Sequence, residues 1–271
     1  MVDSRIENLA KLCVQYSVDV KPKEKVFIQG NVVAFPLIKE LYRECLLGGA
    51  YPTIIPSLDV EYIFLKYAKE HQLRFVPPLQ KFLAKDIDVA ISVYCEPNPK
   101  RLTNINPEKI ALVRASRKEI MEIFLRRTAQ GKLRGVALPY PINDQAQEAA
   151  MSLEEYEDFV FNSCLLDKKD PVAEWKKIHQ HQEKVCQFLN QVSKIHIVGE
   201  NTDLLLNVKG RKWINCSGKL NMPDGEVYTG PVENSANGTA RFTYPGIVTG
   251  REVEDVTLVV PPAPGQNIQG D

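Results

Sequence analysis

Glu226 is the residue whose type and position most strongly suggest chemistry in this sequence. It directly follows the turn residues Pro223-Asp224-Gly225 and begins a short extended run. Because a Pro-Asp-Gly turn is stiff, the carboxylate that leaves it has a defined direction, which a metal site requires. The other carboxylates nearby in the sequence form no recognised ligand spacing with it. The residues alone therefore allow two interpretations: Glu226 is a metal ligand, or it is an acidic residue at a strand start that pairs with a lysine such as Lys219.

Other kinds of site are not supported by the sequence. The first predicted strand ends at Gly30 without a G-x-G-x-x-G or Walker motif, so nucleotide binding by a glycine-rich loop is not expected. His179 and His181 lie two residues apart on a predicted helix and point about 200° apart, so they cannot share one ion. The sequence has no G-x-S-x-G motif, and neither Cys95 nor Cys216 has a recognisable base. No catalytic residue is therefore assigned.

Composition predicts a soluble globular protein of one large or two small domains and argues against several classes of partner. The 271 residues are 44% hydrophobic and 25% charged, which is ordinary for a globular protein with a substantial core. Lys and Arg together number 34, as do Asp and Glu, so no net charge points to nucleic acid or to an anionic membrane. No apolar run is long enough to span a membrane, and the N-terminus lacks the layout of a secretory signal. A cytoplasmic protein is expected.

The pattern of the six cysteines also predicts a reducing compartment, such as the cytoplasm. They are widely scattered, and no two form a Cys-x-x-Cys pair. This pattern predicts free, buried thiols in a reducing environment and argues against a zinc–thiolate site.

The first half of the chain alternates predicted strands and helices. Continuous apolar runs predict strands at residues 25–30, 51–56, 86–95 and 134–140, as buried parallel strands require. Ser4 with Glu7 forms a capping-box pattern, and Asp59 can cap a helix that extends to Glu70. This alternation predicts an α/β fold with a mainly parallel sheet covered by helices on both faces, although the strand order cannot be derived.

The second half changes character after residue 193. Residues 144–193 are predicted to be helical, with a second capping box at Ser152 and Glu155 and a helix start at Asp170-Pro171. Residues 194–199, 202–209, 212–216 and 226–229 alternate and are separated by turns, which is typical of antiparallel strands. Residues 237–239 match a glycosylation sequon, but we interpret them as a turn that contains glycine. We therefore predict an N-terminal α/β domain at residues 1–193, with a helical extension, and a β-rich domain at residues 194–271 that ends in a Pro/Gly-rich tail.

Several blocks of the sequence resemble peptidase family M29, the thermophilic aminopeptidases of the T and S type. The most specific block is residues 221–231, Asn-Met-Pro-Asp-Gly-Glu-Val-Tyr-Thr-Gly-Pro. Val208-Lys209-Gly210-Arg211 precedes it, and Arg241-Phe242-Thr243-Tyr244-Pro245 follows it. A second block is Leu138-Pro139-Tyr140-Pro141, which continues through residues 152–161. The resemblance extends from residue 1 to about residue 258.

This resemblance implies a metal-dependent aminopeptidase that removes N-terminal residues from peptides. Members of the family bind two divalent ions, with zinc or cobalt expected, and form homodimers. The family role of metal ligand transfers to Glu226 alone. The remaining ligands and the catalytic glutamate lie further along in the family, in a C-terminal block, whereas this sequence departs from the family pattern after Leu258. The second domain is thus expected to be a partial, truncated catalytic domain that does not bind its metal stably by itself.

Two alternatives stay open at the level of sequence. One is that the chain is a catalytically inactive α/β fragment that acts as a binding or assembly module. The other is a small-molecule binder that uses the carboxyl edge of the parallel sheet, which is an argument from fold analogy.

Overall fold

Four parallel strands form the first sheet of the computed structural model, which describes residues 3–248 and 251–261. The strands are β1 (Lys25–Asn31), β2 (Tyr51–Ser57), β3 (Val89–Tyr94) and β4 (Arg134–Pro139). Their order is β2-β1-β3-β4, and every neighbouring pair is parallel. The predicted α/β class and all four strands are confirmed. The register aligns Ile28 of the central strand β1 with Ile91 of β3, and both side chains are fully buried.

Helices precede, connect and follow these strands. The helices are α1 (Ser4–Leu12), α2 (Phe35–Leu47), α3 (Glu61–Tyr67), α4 (Glu70–Leu73), α5 (Pro78–Asp86), α6 (Pro107–Ser116), α7 (Lys118–Ala129), α8 (Asn143–Glu148), α9 (Leu153–Ser163) and α10 (Pro171–Leu189). A π-helical turn at Cys13–Ser17 extends α1, and a 3-10 turn at Val32–Ala34 precedes α2. Leu9 of α1 and Leu37 and Leu41 of α2 are fully buried, so these two helices contribute to the core beside the sheet.

The predicted helix starts at Ser152 and at Asp170 are confirmed, whereas the one at Ser4 is wrong. Ser152 and Glu155 form the predicted capping box, and Asp170 accepts a hydrogen bond from the Ala173 N–H at 2.9 Å. The capping box predicted at Ser4 is wrong. Asp3 caps α1 instead, because its carboxylate accepts from the Arg5 N–H at 2.8 Å, and Ser4 is the first helical residue.

The single helix predicted from Asp59 to Glu70 is two short helices. Ala68 and Lys69 have extended backbones between α3 and α4, and the Gln72 side chain accepts from the Lys69 N–H at 2.8 Å, which caps the new helix. Asp59 is not a cap; its carboxylate lies 3.0 Å from Nε of Arg101.

The remaining strands are antiparallel, which confirms the prediction for residues 194–229, whereas the four strands after residue 236 were not predicted. They are β5 (Lys194–Gly199), β6 (Thr202–Asn207), β7 (Ile214–Cys216), β8 (Glu226–Tyr228), β9 (Asn237–Phe242), β10 (Gly246–Val248), β11 (Arg251–Val253) and β12 (Val256–Val260). They form a four-stranded sheet of order β12-β9-β6-β5 and two pairs, β7-β8 and β10-β11. Most of the predicted Pro/Gly-rich tail lies outside the described residues.

The turn predicted at residues 237–239 is wrong, because these residues begin β9. Gly238 has a φ of +123°, and a Cβ there would lie 2.0 Å from the carbonyl oxygen of Asp203 on β6. Glycine is therefore required by the close approach of two strands rather than by a turn.

Contacts divide the described residues into two compact units. The first comprises residues 3–177 and 217–224, and the second comprises residues 178–216 and the described residues from 225 onward. The domain boundary at residue 193 stays a prediction. All six cysteines are buried thiols outside disulfide bonds, as predicted. Within the described ranges, no helix is long and apolar enough to cross a membrane.

Candidate metal centre

Glu226 is the first residue of β8, where the sequence predicted a strand to begin. In the antiparallel pair with β7, the register aligns Cys216 with Glu226 and Asn215 with Val227. Side chains that lie directly opposite each other on neighbouring antiparallel strands project from the same face. The pairing therefore places the thiol of Cys216 beside the carboxylate of Glu226.

The two side chains offer different donors at short range. The Sγ atom of Cys216 and a carboxylate oxygen of Glu226 lie within 4.8 Å of each other. Cys216 is buried, with 2% of its surface exposed, whereas Glu226 is exposed. The pair thus combines a buried sulfur donor with an oxygen donor that solutes can reach.

Gln182 of α10 holds the backbone of both residues. Its Nε2 amide donates to the carbonyl oxygen of Cys216 at 3.1 Å and to that of Glu226 at 2.6 Å. The side chain is buried, with 6% exposed, and its Oε1 atom has no hydrogen-bond partner among the described residues. The Gly225 N–H also donates to the Cys216 carbonyl at 3.1 Å, which closes the start of β8 against the end of β7.

A second amide ties β7 to the same helix. Nδ2 of Asn215 donates to the carbonyl oxygen of His179 at 2.9 Å and lies 3.3 Å from a carboxylate oxygen of Glu183. His179 is half-buried and His181 is exposed. His196 of β5 also has an acidic neighbour, because its Nε2 lies 2.8 Å from a carboxylate oxygen of Asp203.

The turn that leads to Glu226 is fastened within the first unit. The Tyr16 hydroxyl lies 2.8 Å from the Ser217 carbonyl oxygen and 3.1 Å from that of Trp175, between which its one proton is shared. Burial raises the pKa of Tyr16, so this hydroxyl keeps its proton at neutral pH. Met222 and Ala137 of β4 are joined by a hydrogen bond from the Met222 N–H to the Ala137 carbonyl at 2.9 Å. The turn before Glu226 is therefore held by these contacts as well as by its Pro-Asp-Gly sequence.

Gly218, at the start of this turn, is a position that only glycine fits. Its φ is +85°, and a Cβ there would lie 2.5 Å from Cε of Met222, which is itself buried. Its N–H donates to a carboxylate oxygen of Asp224 at 3.2 Å. The backbone before Glu226 is therefore fixed by packing and by hydrogen bonds.

The alternative interpretation of Glu226 as a lysine partner has no support in the geometry. The Lys219 ammonium lies over the ring of Tyr16, 5.9 Å from its centroid. Across residues 3–248 and 251–261, no ion pair involves Glu226. Its role as a ligand stays a prediction at this point.

The donors present suit part of the coordination shell of a zinc-like ion. Zinc takes thiolate and carboxylate ligands, usually four in a tetrahedron, whereas magnesium and calcium prefer oxygen ligands. Cys216 and Glu226 would supply two of the four. The chemistry of this pair fits a divalent ion of the zinc or cobalt type better than a hard cation.

A cleft at the carboxyl ends of β1, β2 and β3 is the place that fold analogy suggests for a small molecule. It has a volume of about 310 Å³. Its one arginine, Arg101, is held by Asp59, by Glu61 at 2.6 Å and by Glu96, so its charge is already compensated by carboxylates around the cleft. The small-molecule interpretation stays a prediction.

Together, the fold and this site define a class: a mixed α/β protein with a parallel sheet, further antiparallel sheets and a candidate zinc-type centre at a strand pair. The family profile described as "Thermophilic metalloprotease (M29)" matches residues 2–261. The chain belongs to the M29 family of metallopeptidases.

Individual relatives agree with this assignment at low sequence identity. "Aminopeptidase 2" of Geobacillus stearothermophilus is 23% identical over 94% of this chain and 67% of its own length. "Aminopeptidase PepS" of Streptococcus thermophilus is 25% identical over 93% of this chain and 67% of its own length. The solved structure "Wild-type AmpT from Thermus thermophilus" superposes with a TM-score of 0.80 at 20% identity, covering 94% of this chain and 68% of that one. The chain thus shares the fold of AmpT and spans about two thirds of the length of each of these proteins.

Proposed function

We propose that this chain carries part of the active site of a metal-dependent aminopeptidase, which removes N-terminal residues from peptides. The observation that carries the proposal is the position of Glu226. In a chain that matches the M29 profile over residues 2–261, this carboxylate leaves a fixed turn at the start of β8 and has no competing ion pair in the described residues. Relatives named aminopeptidases support the reaction type.

The ion would be zinc or cobalt, with Glu226 as one ligand. Such an ion, when bound, polarises a substrate carbonyl and lowers the pKa of a bound water. The residues of this chain contribute binding and orientation. Glu226 provides a ligand oxygen, Gln182 fixes its carbonyl at 2.6 Å, and the contacts of Tyr16 fix the turn before it.

The rest of the centre follows from the family resemblance. We propose that the remaining ligands, a second ion and the catalytic glutamate belong to the C-terminal block of the family, beyond the region where this sequence matches the pattern. The family also suggests a homodimer, and the composition suggests a cytoplasmic protein without nucleic-acid or membrane partners.

Hydrolysis of aminoacyl-p-nitroanilides tests the proposal. The 271-residue chain and a version extended through the C-terminal block of the family would be assayed with added zinc or cobalt. The informative variant is Glu226→Gln, and the matched control is Glu200→Gln, which changes an exposed carboxylate of the second unit that lies 4.0 Å from its nearest cation.

We expect Glu226→Gln to abolish metal-dependent hydrolysis in whichever version is active and Glu200→Gln to leave it unchanged. Hydrolysis that survives Glu226→Gln would show that Glu226 is not a ligand. Silence from both versions would refute the aminopeptidase assignment and favour the inactive binding module.

A further inference from the structure

An apolar pocket lies beyond the carboxyl end of β2, and all of its lining residues belong to the segment 57–117 of the first unit. We propose that this pocket binds a small monocarboxylate with an apolar tail, such as a medium-chain fatty acid. Binding of this kind goes beyond the peptidase activity and requires neither Glu226 nor a metal ion.

The pocket has the size and the surface of a small-molecule site. Its volume is about 470 Å³, and ligand pockets in proteins commonly measure about 300–1,000 Å³. It is bounded by α3, by the chain that leads from α4 into α5, and by the end of α6. Most of the side chains that line it are apolar, as such sites require, and these include Leu58, Val60, Phe64, Leu65, Phe75 and Val113.

The apolar lining combines buried core residues with exposed ones. Leu65 and Val113 are 2% and 8% exposed, and they belong to one hydrophobic cluster of the core. Leu58 and Phe75 also line the pocket but are 62% and 63% exposed. An apolar tail that lies between these side chains would remove hydrophobic surface from water, which favours binding.

Arg117 provides an uncompensated positive charge at this pocket. It lies between the end of α6 and the start of α7, and it is exposed. Over residues 3–248 and 251–261, its guanidinium forms no ion pair and no hydrogen bond. Glu61, the acidic residue of the lining, is already held by Arg101 at 2.6 Å. The guanidinium of Arg117 is therefore available to an anionic ligand, which it can bind through two parallel hydrogen bonds.

Two side-chain amides in the lining also suit an anion. The Oε1 atom of Gln72 accepts from the Lys69 N–H at 2.8 Å, so the group that Gln72 can offer to a ligand is its NH₂ donor. Gln80 lines the pocket as well and is half-buried. Together with Arg117, these amides supply hydrogen-bond donors at an otherwise apolar surface.

This combination of charges selects the ligand class. A cation would be repelled by Arg117, and a neutral alcohol would gain little from a guanidinium. A phosphate carries up to two charges and is usually held by several cationic or backbone donors, whereas one guanidinium matches the planar shape of a single carboxylate. The apolar lining then requires the rest of the ligand to be hydrocarbon.

Isothermal titration calorimetry with octanoate tests the inference on the full 271-residue chain. Octanol and octylamine have the same hydrocarbon tail with a neutral and a cationic head group, so they isolate the contribution of the carboxylate. We expect octanoate to bind saturably, and about five- to tenfold more tightly than octanol, as a charged hydrogen bond at an exposed position predicts. Octylamine should bind more weakly than octanol, and high salt should weaken the binding of octanoate only.

The variants locate the site. Arg117→Gln should reduce the affinity for octanoate to that for octanol, and Arg114→Gln should leave it unchanged. Arg114 is the matched control because it is an exposed arginine on α6 that does not line the pocket. Val60→Trp should abolish binding by filling the pocket from a position that is 52% exposed. Far-ultraviolet circular dichroism would establish that each variant is folded, and Leu58→Trp replaces Val60→Trp if that variant does not fold.

Three results would overturn the inference, and none of them bears on the hydrolysis assay for the proposed function. Absence of octanoate binding would refute the site. Equal affinities of the unmodified chain and Arg117→Gln would show that the carboxylate is not recognised. Binding that survives both tryptophan substitutions in folded protein would place octanoate elsewhere on the chain.

Discussion

Replacing Gln182 with methionine should loosen the strand pair that presents Glu226. Methionine has nearly the same volume, so the change removes the amide without leaving a large cavity. It deletes the hydrogen bonds to the Cys216 carbonyl at 3.1 Å and to the Glu226 carbonyl at 2.6 Å. Two ordinary hydrogen bonds contribute about 1–3 kcal/mol together to the free energy of unfolding.

The structure narrows the expected loss in the free energy of unfolding of Gln182→Met. The Cys216 carbonyl keeps its hydrogen bond from the Gly225 N–H, and the substitution also removes the unpaired Oε1 atom, whose burial is unfavourable. We therefore expect Gln182→Met to lower the free energy of unfolding by about 1–2 kcal/mol. Because partners of ligand residues typically tune metal affinity by about tenfold or more, the cobalt affinity should fall by a similar factor.

Urea denaturation followed by far-ultraviolet circular dichroism measures the first effect, and cobalt titration measures the second. Gln187→Met is the matched control, because Gln187 lies on the same helix and is exposed. If the two variants are equally stable and bind cobalt equally well, Gln182 does not hold the Glu226 backbone and the argument for its role fails.

Three further predictions concern Gly218, Asp3 and Cys164. Gly218→Ala should lower the free energy of unfolding by about 2–5 kcal/mol, because it adds a packing clash to the cost of a left-handed backbone. Gly131→Ala is the control, since Gly131 has a φ of +66° and open space around it, and should cost only about 1–2 kcal/mol. Equal losses of the two variants in urea denaturation would contradict the clash. Asp3→Asn should lower the melting temperature at pH 7 by removing the charge paired with Arg5. The Arg5 hydrogen bond lowers the pKa of Asp3, so the higher melting temperature of the unmodified chain should be present at neutral pH and vanish as the pH falls through that lowered pKa. A difference in melting temperature between the two chains that is unchanged in acid would argue against the ion pair. Burial raises the pKa of Cys164 to about 12, so iodoacetamide at pH 8 should label this thiol only after denaturation, as measured by mass spectrometry. Rapid labelling of Cys164 in the native protein would contradict its burial.

The parallel sheet could be predicted from the sequence because its strands are continuous apolar runs. Buried parallel strands need apolar side chains on both faces, and a run such as residues 134–140 therefore stands out without any knowledge of its neighbours. The two helices that the sequence reading did not identify are α5 and α6. Their starts at Pro78 and at Asn106-Pro107 carry ordinary capping signals, but α6 buries little more than Ile110 and Val113, so it has a weak apolar stripe.

The site could be predicted only in part. The direction of Glu226 depends on local turn chemistry, which the sequence shows. Its neighbour Cys216 depends on how two strands pair across an intervening turn that is fastened to other parts of the chain, and no local pattern encodes that register. Gln182 is buried on its helix, but its function there is polar, because it donates to two carbonyls rather than filling apolar space.

Anomalous diffraction from zinc-soaked crystals of the version extended through the C-terminal block of the family is the most direct test of the claim that Glu226 is a metal ligand. We predict an anomalous peak at the zinc edge within coordination distance of the Glu226 carboxylate, about 2.0–2.2 Å. In crystals of Glu226→Gln the peak should be absent. A zinc peak located elsewhere, with the Glu226 carboxylate directed into solvent, would contradict the account.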